Sequence, residues 1–249
     1  MRVNVLFSPV ITDELYYTGK TVLVIDVLRA STTIIAALHN GAKEIVPVAT
    51  VEFAVKISGG MFGGQTLLGG ERNTKKVEGF ALGNSPLEYT PEIVSGKTII
   101  LYTTNGSKAI VKAKFSENLF ICSYSNLSAV VNQILKLGND FEILCAGKSN
   151  IFSLEDSVCA GKFIKEILGK KSDLELSDTA RAAISLNSSL GAVPLKMLKE
   201  SEHGKLLLNN GFEEDLEYTA RVDTSDVIPY FTMNVLKSLP GDDGSVNRS

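Results

Sequence analysis

The sequence predicts an α/β fold: three layers, α/β/α, around a mostly parallel or mixed central sheet. Short apolar, β-branched runs recur along the chain. Helical patterns lie between them, the alternation that marks parallel sheets with helices on both faces. Runs such as TVLVIDV (21–27) and TIILY (98–102) are almost continuously apolar. A strand covered on both faces reads that way.

In order, strands are predicted at 3–7, 21–27, 44–47, 66–68, 98–102, 119–122, 141–145 and, late, 227–231. Helices are predicted at 31–38, stopped by Asn40-Gly41, then at 51–58, 107–113, and from a Ser125-Asn126 cap to about 137. Further helices are expected at 154–168, 178–189 and 194–208, while 216–222 reads either way. Gly59-Gly60 and Gly63-Gly64 mark a loop, and 240–249 reads as a polar frayed tail. No composition break marks a linker, so residues 1–249 are read as one domain. Gly19-Lys20-Thr21 and Gly96-Lys97-Thr98 open two strands in parallel fashion. The echo puts Asp26 in step with Thr103; chance similarity is the competing reading.

Composition narrows the function. The 249 residues carry 25 basic and 28 acidic side chains, and 44% are hydrophobic. A folded chain of this size exposes roughly 11,000 Å² of surface. No Lys/Arg run suggests nucleic acid, and no apolar stretch is long enough to span a membrane. The N-terminus does not read as a signal peptide. Three cysteines without CxxC spacing fit a reducing cytoplasm. The size allows a homodimer, though no residue points to one.

Four apolar runs end in polar clusters, where an open parallel sheet binds ligands. They are Asp26–Thr33, Gly69–Asn73, Thr103–Ser107 and Ala146–Asn150, with Ser153–Asp156 close behind. Carboxylates, guanidinium groups, hydroxyls and helix starts together suit a phosphorylated substrate held with a divalent metal. Each group also has a plain structural reading. Asp26 can pair with Arg29. Ser31, Thr32 and Thr33 can cap a helix. Ser153 and Asp156 have capping-box spacing, Asn105-Gly106 is a turn signal, and Lys148 can simply be solvated. Cys145 and Cys159 read as small buried hydrophobes, and His203 carries no assignment. The P-loop, the dinucleotide fingerprint, the Asp-x-Asp phosphatases and the Cys-x5-Arg phosphatases all fail on spacing.

The stretches VIDVLRASTT (24–33), LGGERN (68–73), GFALGNSP (79–86), TTNGSKA (103–109), CAG (145–147) and EDSVCAG (155–161) resemble the 2-phosphosulfolactate phosphatase family. DTSDVIP (223–229) is consistent with it. The resemblance implies a Mg²⁺-dependent acid phosphatase that converts 2-phospho-3-sulfolactate to 3-sulfolactate and phosphate, on the route to coenzyme M. On that reading Asp26, Glu71, Glu155 and Asp156 are the expected metal ligands. Arg29 and Arg72 are expected to clamp anionic groups. Ser31, Thr32, Asn84, Ser85, Thr104, Asn105, Gly106 and Lys148 are expected at the substrate. The nucleophile is read as water, with a covalent route through Asp26 or Cys159 left open. Two alternatives remain: another phosphorylated hydroxy acid as substrate, and a non-catalytic anion-binding module on the same scaffold.

Overall fold

The computed structural model describes residues 1–59 and 65–240. Gly60, Gly63, Gly64 and the tail from Gly241 lie outside them. In chain order the elements are β1 (Arg2–Leu6), β2 (Thr21–Ile25), α1 (Ala30–His39), β3 (Glu44–Val48), α2 (Val51–Ser58), β4 (Thr66–Arg72), β5 (Lys75–Lys76), α3 (Pro91–Val94), β6 (Thr98–Tyr102), α4 (Gly106–Lys112), β7 (Asn118–Cys122), α5 (Leu127–Leu137), β8 (Phe141–Cys145), α6 (Leu154–Lys170), β9 (Glu175–Leu176), α7 (Asp178–Leu190), α8 (Pro194–Glu200), α9 (Glu202–Asn209), α10 (Glu213–Thr219), β10 (Pro229–Thr232) and β11 (Val235–Ser238).

One sheet of 11 strands runs through the middle in the order β5-β4-β6-β3-β11-β10-β7-β2-β8-β1-β9. Its pairings are parallel except at β5 and around the β10–β11 hairpin, so the sheet is mixed. Alternate residues of each strand face opposite ways. Leu23, Ile25, Ile143 and Cys145 pack with α5, α6 and α7 on one face. Val22, Val24, Ile99 and Leu101 pack with α1 and α4 on the other. Val46, Val48, Ile100 and Tyr102 form a further cluster under α2. Strands β2 and β6 are buried along their whole length, as their continuous apolar runs require. The surface exposed is 11390 Å², close to the size-scaling value.

The sequence echo is structural. Gly19 and Gly96 both adopt φ +71 just before their strands, a conformation that favours glycine. Past each strand, the backbone N–H of the first polar residue donates to a serine of the following helix: Asp26 to Ser31 Oγ at 2.9 Å, Thr103 to Ser107 Oγ at 2.9 Å.

Two departures shape the site. The helix expected at 194–208 is two helices, because Ser201 leaves helical geometry (φ −65, ψ 154) and caps α9 by accepting from Gly204 N. The ambiguous 216–222 segment ends α10 instead of forming a strand. Together α8, α9 and α10 lay a helical segment over one end of the sheet, and two of its side chains reach the site.

Candidate active site

The parallel strands β2, β4, β6 and β8 all end at one rim. Asp26 follows β2, Glu71 lies near the end of β4, Thr103–Asn105 follow β6, and Ala146-Gly147 follow β8. Asp26, Leu28, Arg29, Glu71, Thr74, Asn84, Asn105 and His203 line one cleft there. Its free space is about 10 Å³, room for a single water or ion. A second compartment of about 380 Å³ adjoins it, with Lys148, Phe152, Ser153, Leu154, Glu155 and Ser201 in its wall. His203 lines both. Another hollow, about 470 Å³, lies on the opposite rim, where Lys20 already pairs with Glu142.

Asp26 is buried, and its position is fixed from both sides. Ser31 Oγ holds its backbone N–H, and Ala30 N donates to its Oδ1 at 3.2 Å. Its Oδ2 lies against Gly106, where a Cβ would overlap both this oxygen and Ala30 Cβ. Glycine at 106 therefore lets the start of α4 approach the carboxyl. Burial pushes the Asp26 pKa up to about 7, with the charge of Glu71 and then of Glu155 adding to the effect.

Glu71 organises two loops. It accepts from Thr104 N (2.8 Å) and Thr104 Oγ1 (3.2 Å), and from Thr74 N (2.7 Å). The β4–β5 turn puts Asn73 and Thr74 at φ 54 and φ 71, a costly conformation for a β-branched residue. In that turn Thr74 Oγ1 is buried without a hydrogen-bond partner among the described residues, and so is Asn84 Oδ1. Both residues line the cleft.

Arg29 is buried in the cleft wall but does not pair with Asp26. Its Nη1 is 2.6 Å from Asp215 Oδ2, its Nη2 donates to the Thr74 carbonyl at 2.9 Å, and its guanidinium lies 4.2 Å from the Phe212 ring centre. Asp215 also accepts from Ser85 Oγ at 2.6 Å. Among the described residues these two hydrogen bonds leave several of the five guanidinium N–H donors without a partner.

The expected site residues thus divide. Asp26, Arg29, Glu71, Asn84 and Asn105 share the cleft. Ser85, Thr104 and Gly106 support it from behind, as described above. Glu155 and Lys148 line the neighbouring compartment, and the charge of Glu155 reaches Asp26. Lys148 Nζ lies 3.4 Å from Glu202. Ser31 and Thr32 are structural, Thr32 Oγ1 donating to the Val27 carbonyl at 2.9 Å and meeting Ser123 Oγ. Asp156 is engaged as well: its Oδ1 accepts from Val27 N (2.8 Å) and its Oδ2 from Gly147 N (3.1 Å). Those bonds tie the β2 and β8 loops together. Arg72 is exposed and outside both linings, because the residue after Glu71 points to the other face of its strand. Cys159 is fully buried and its thiol is pushed well above its usual value by that burial, which disfavours the thiolate a cysteine nucleophile needs.

Two residues were missed by sequence reasoning. Asp215 and His203 sit on polar helices with no surrounding motif, and only the docking of α9 and α10 brings them in. His203 Nδ1 is 3.6 Å from Glu155 Oε1. Its pKa is lowered to about 4 by burial, then by Arg29 and Lys148, so the ring is neutral at pH 7.

Among the described residues, no group of three or more Asp, Glu, His or Cys side chains forms a ready metal shell. The carboxyl groups of Asp26 and Glu71 line one cleft, together with Thr74 and Asn84, whose side-chain oxygens lack partners among the described residues. Mg²⁺ is commonly bound by one or two carboxylates together with waters and substrate phosphate. Hard oxygen donors in an ion-sized space fit that ion, and a cation would offset the burial and the Glu71 charge that raise Asp26.

Residues 9–234 match the family described as 2-phosphosulpholactate phosphatase. The chain belongs to that family. A "Probable 2-phosphosulfolactate phosphatase" of Thermotoga petrophila is 44% identical over 223 residues, covering 89% of this chain and 94% of the relative. One from Clostridium novyi is 39% identical over 234 residues, covering 93% and 97%. Another, from Clostridium acetobutylicum, is 37% identical over 235 residues, covering 93% and 98%. No helix among the described residues is long and apolar enough to cross a membrane.

Proposed function

We propose that this chain is a Mg²⁺-dependent phosphoric monoester hydrolase, acting as one unit on 2-phospho-3-sulfolactate and releasing 3-sulfolactate and phosphate. The observation that carries the reading is the cleft itself. Two acids from separate strands and an arginine line a space the size of an ion, and two other lining residues, Thr74 and Asn84, each carry a buried oxygen without a hydrogen-bond partner among the described residues. Family membership and the names of the relatives supply the substrate. Free buried thiols at Cys122, Cys145 and Cys159 suit a reducing cytoplasm.

Asp26 and Glu71 would hold Mg²⁺, with Asn84 Oδ1 and Thr74 Oγ1 as neighbouring oxygen donors. When bound, the ion supplies positive charge against the phosphoryl oxygens and acidifies a water. The remaining work falls to the chain. Arg29 offers its free N–H groups to the phosphoryl oxygens, and the Asp215–Ser85 brace keeps its fork oriented. Such positioning matters because phosphoryl transfer asks the protein for placement and charge stabilisation above all. Glu71 keeps the Thr74 and Thr104 loops closed on the site. The adjoining compartment, with Lys148 in its wall, takes the body of the substrate.

The test is a panel of phosphomonoesters: 2-phospho-3-sulfolactate, 2-phospholactate, 3-phosphoglycerate and p-nitrophenyl phosphate. Each is assayed with Mg²⁺, with chelator, and after Mg²⁺ is restored. Hydrolysis should be fastest for the sulfonated ester, vanish with chelator and return with the ion. If no ester is hydrolysed, the chain is an anion-binding module.

A further inference from the structure

We propose that His203 is a catalytic residue of this hydrolysis, oriented by Glu155, and that Glu155 serves the imidazole instead of the metal ion. The inference rests on the phosphatase reading above. His203 lies in the first turn of α9, at the junction of the ion-sized cleft and the ligand-sized compartment. A phosphate whose ester body occupies the compartment must pass its phosphorus across that junction. The ring is mostly buried, and its Nδ1 faces the buried Glu155 carboxyl at 3.6 Å. A carboxylate beside one ring nitrogen fixes the tautomer and leaves the other as an acceptor. We assign the proton to Nδ1, the ring nitrogen nearer Glu155, which leaves Nε2 its lone pair. Glu155 is otherwise poorly placed for the ion, since it lines the compartment and not the cleft that holds Asp26 and Glu71.

In the reaction, Nε2 accepts the hydrogen bond of the attacking water. As the water oxygen bonds to phosphorus, its proton passes to Nε2. The ester P–O bond breaks, its electron pair leaves on the alkoxide, and the alkoxide takes a proton from solvent. The imidazolium returns its proton to solvent. Ester and water have become alcohol and phosphate.

The experiment uses the Mg²⁺-loaded enzyme, with Mn²⁺ binding to the substrate-free protein followed by electron paramagnetic resonance. His203→Ala should lower kcat about 10²-fold or more, the usual scale for a lost general base, with KM and Mn²⁺ affinity changed little. Glu155→Gln should lower kcat about tenfold and leave Mn²⁺ affinity unchanged. The double variant should be no slower than His203→Ala, because a missing ring has nothing left to orient. His203→Gln fills similar space and should melt like the parent while staying slow, which separates chemistry from packing. A His203→Ala or His203→Gln enzyme with parental kcat overturns the proposal. So does a Glu155→Gln enzyme that binds Mn²⁺ about tenfold more weakly and regains full kcat at saturating metal. A parent chain that hydrolyses no phosphomonoester defeats the phosphatase reading itself, and that failure is visible before any variant is made.

Discussion

At the scale of single residues, Asp26 shows function set against stability. Its folded pKa of about 7 lies above the ordinary 3.8, so the folded chain holds its proton more tightly than the unfolded chain. Between those values the folded state carries the extra proton, and metal-free stability falls as pH rises through the window. Above pH 7 the loss is complete, on the order of a few kcal/mol. Asp26→Asn keeps the acceptor for Ala30 N and removes the charge. Urea melts of chelator-treated protein should show the variant more stable than the parent at pH 8, with the gap closing by pH 4. Turnover should fall by about 10³-fold or more as the ion loses its anchor. Equal melts at pH 8 would remove buried charge from the account of this site. Asp26, Arg29 and Glu71 were legible in the sequence because polar residues closing apolar strands are conspicuous. The partner of Arg29 was not. The nearby Asp26 looked sufficient, whereas the bond goes to Asp215, 186 residues away.

At the scale of elements, local pattern carried most of the reading. Buried parallel strands announce themselves as apolar runs, and helices such as α6 by their length and their Ser153 cap. The break between α8 and α9 escaped because its turning point, Ser201, is neither Gly nor Pro, and the one nearby glycine, Gly204, falls inside the expected helix. It depends on Ser201 turning its hydroxyl to Gly204 N, and on Gly204 sitting so close to the Leu198 carbonyl that a Cβ would overlap it. That break aims His203 at the cleft. A similar close approach joins α6 to α7. A Cβ on Gly161 would overlap the Ala183 carbonyl and crowd Asn187, and both helices have little room to separate. Gly161→Ala should cost about 1–3 kcal/mol of stability and lower Tm by several degrees in a calorimetric scan. Activity of the folded fraction at 25 °C should be nearly unchanged, since Glu155 lies in the first turn of α6 and Gly161 near its middle, against α7. An unaltered Tm would mean the two helices have slack that the contact denies.

For the molecule as a whole, the order of strands decides where the site can form, and that order was not legible. A late strand was expected at 227–231. The structure has a hairpin, β10 with β11, inserted between β7 and β3. Its hold on each neighbour is short: Tyr230 registers with Phe120, and Leu236 with Ile45. Without it the sheet divides into β5-β4-β6-β3 and β7-β2-β8-β1-β9. Glu71 and Gly106 come from the first part and Asp26 from the second, so the cleft straddles the seam the hairpin closes. Local patterning is silent here, because nothing near residue 230 in the sequence names its partners more than 100 residues earlier. A chain ended after Ile228 should expose two unpaired strand edges, which invite association. Leu236, fully buried at the seam, would be removed with the hairpin, and Ile45, its partner across the seam, would lose that cover. The expected outcome is a protein that keeps helical far-ultraviolet dichroism, binds a hydrophobic dye, elutes as aggregate and has no cooperative melt. A soluble, cooperatively melting product with parental turnover would show that the two half-sheets align without the hairpin, and would move the origin of the site to the helices that cross the seam.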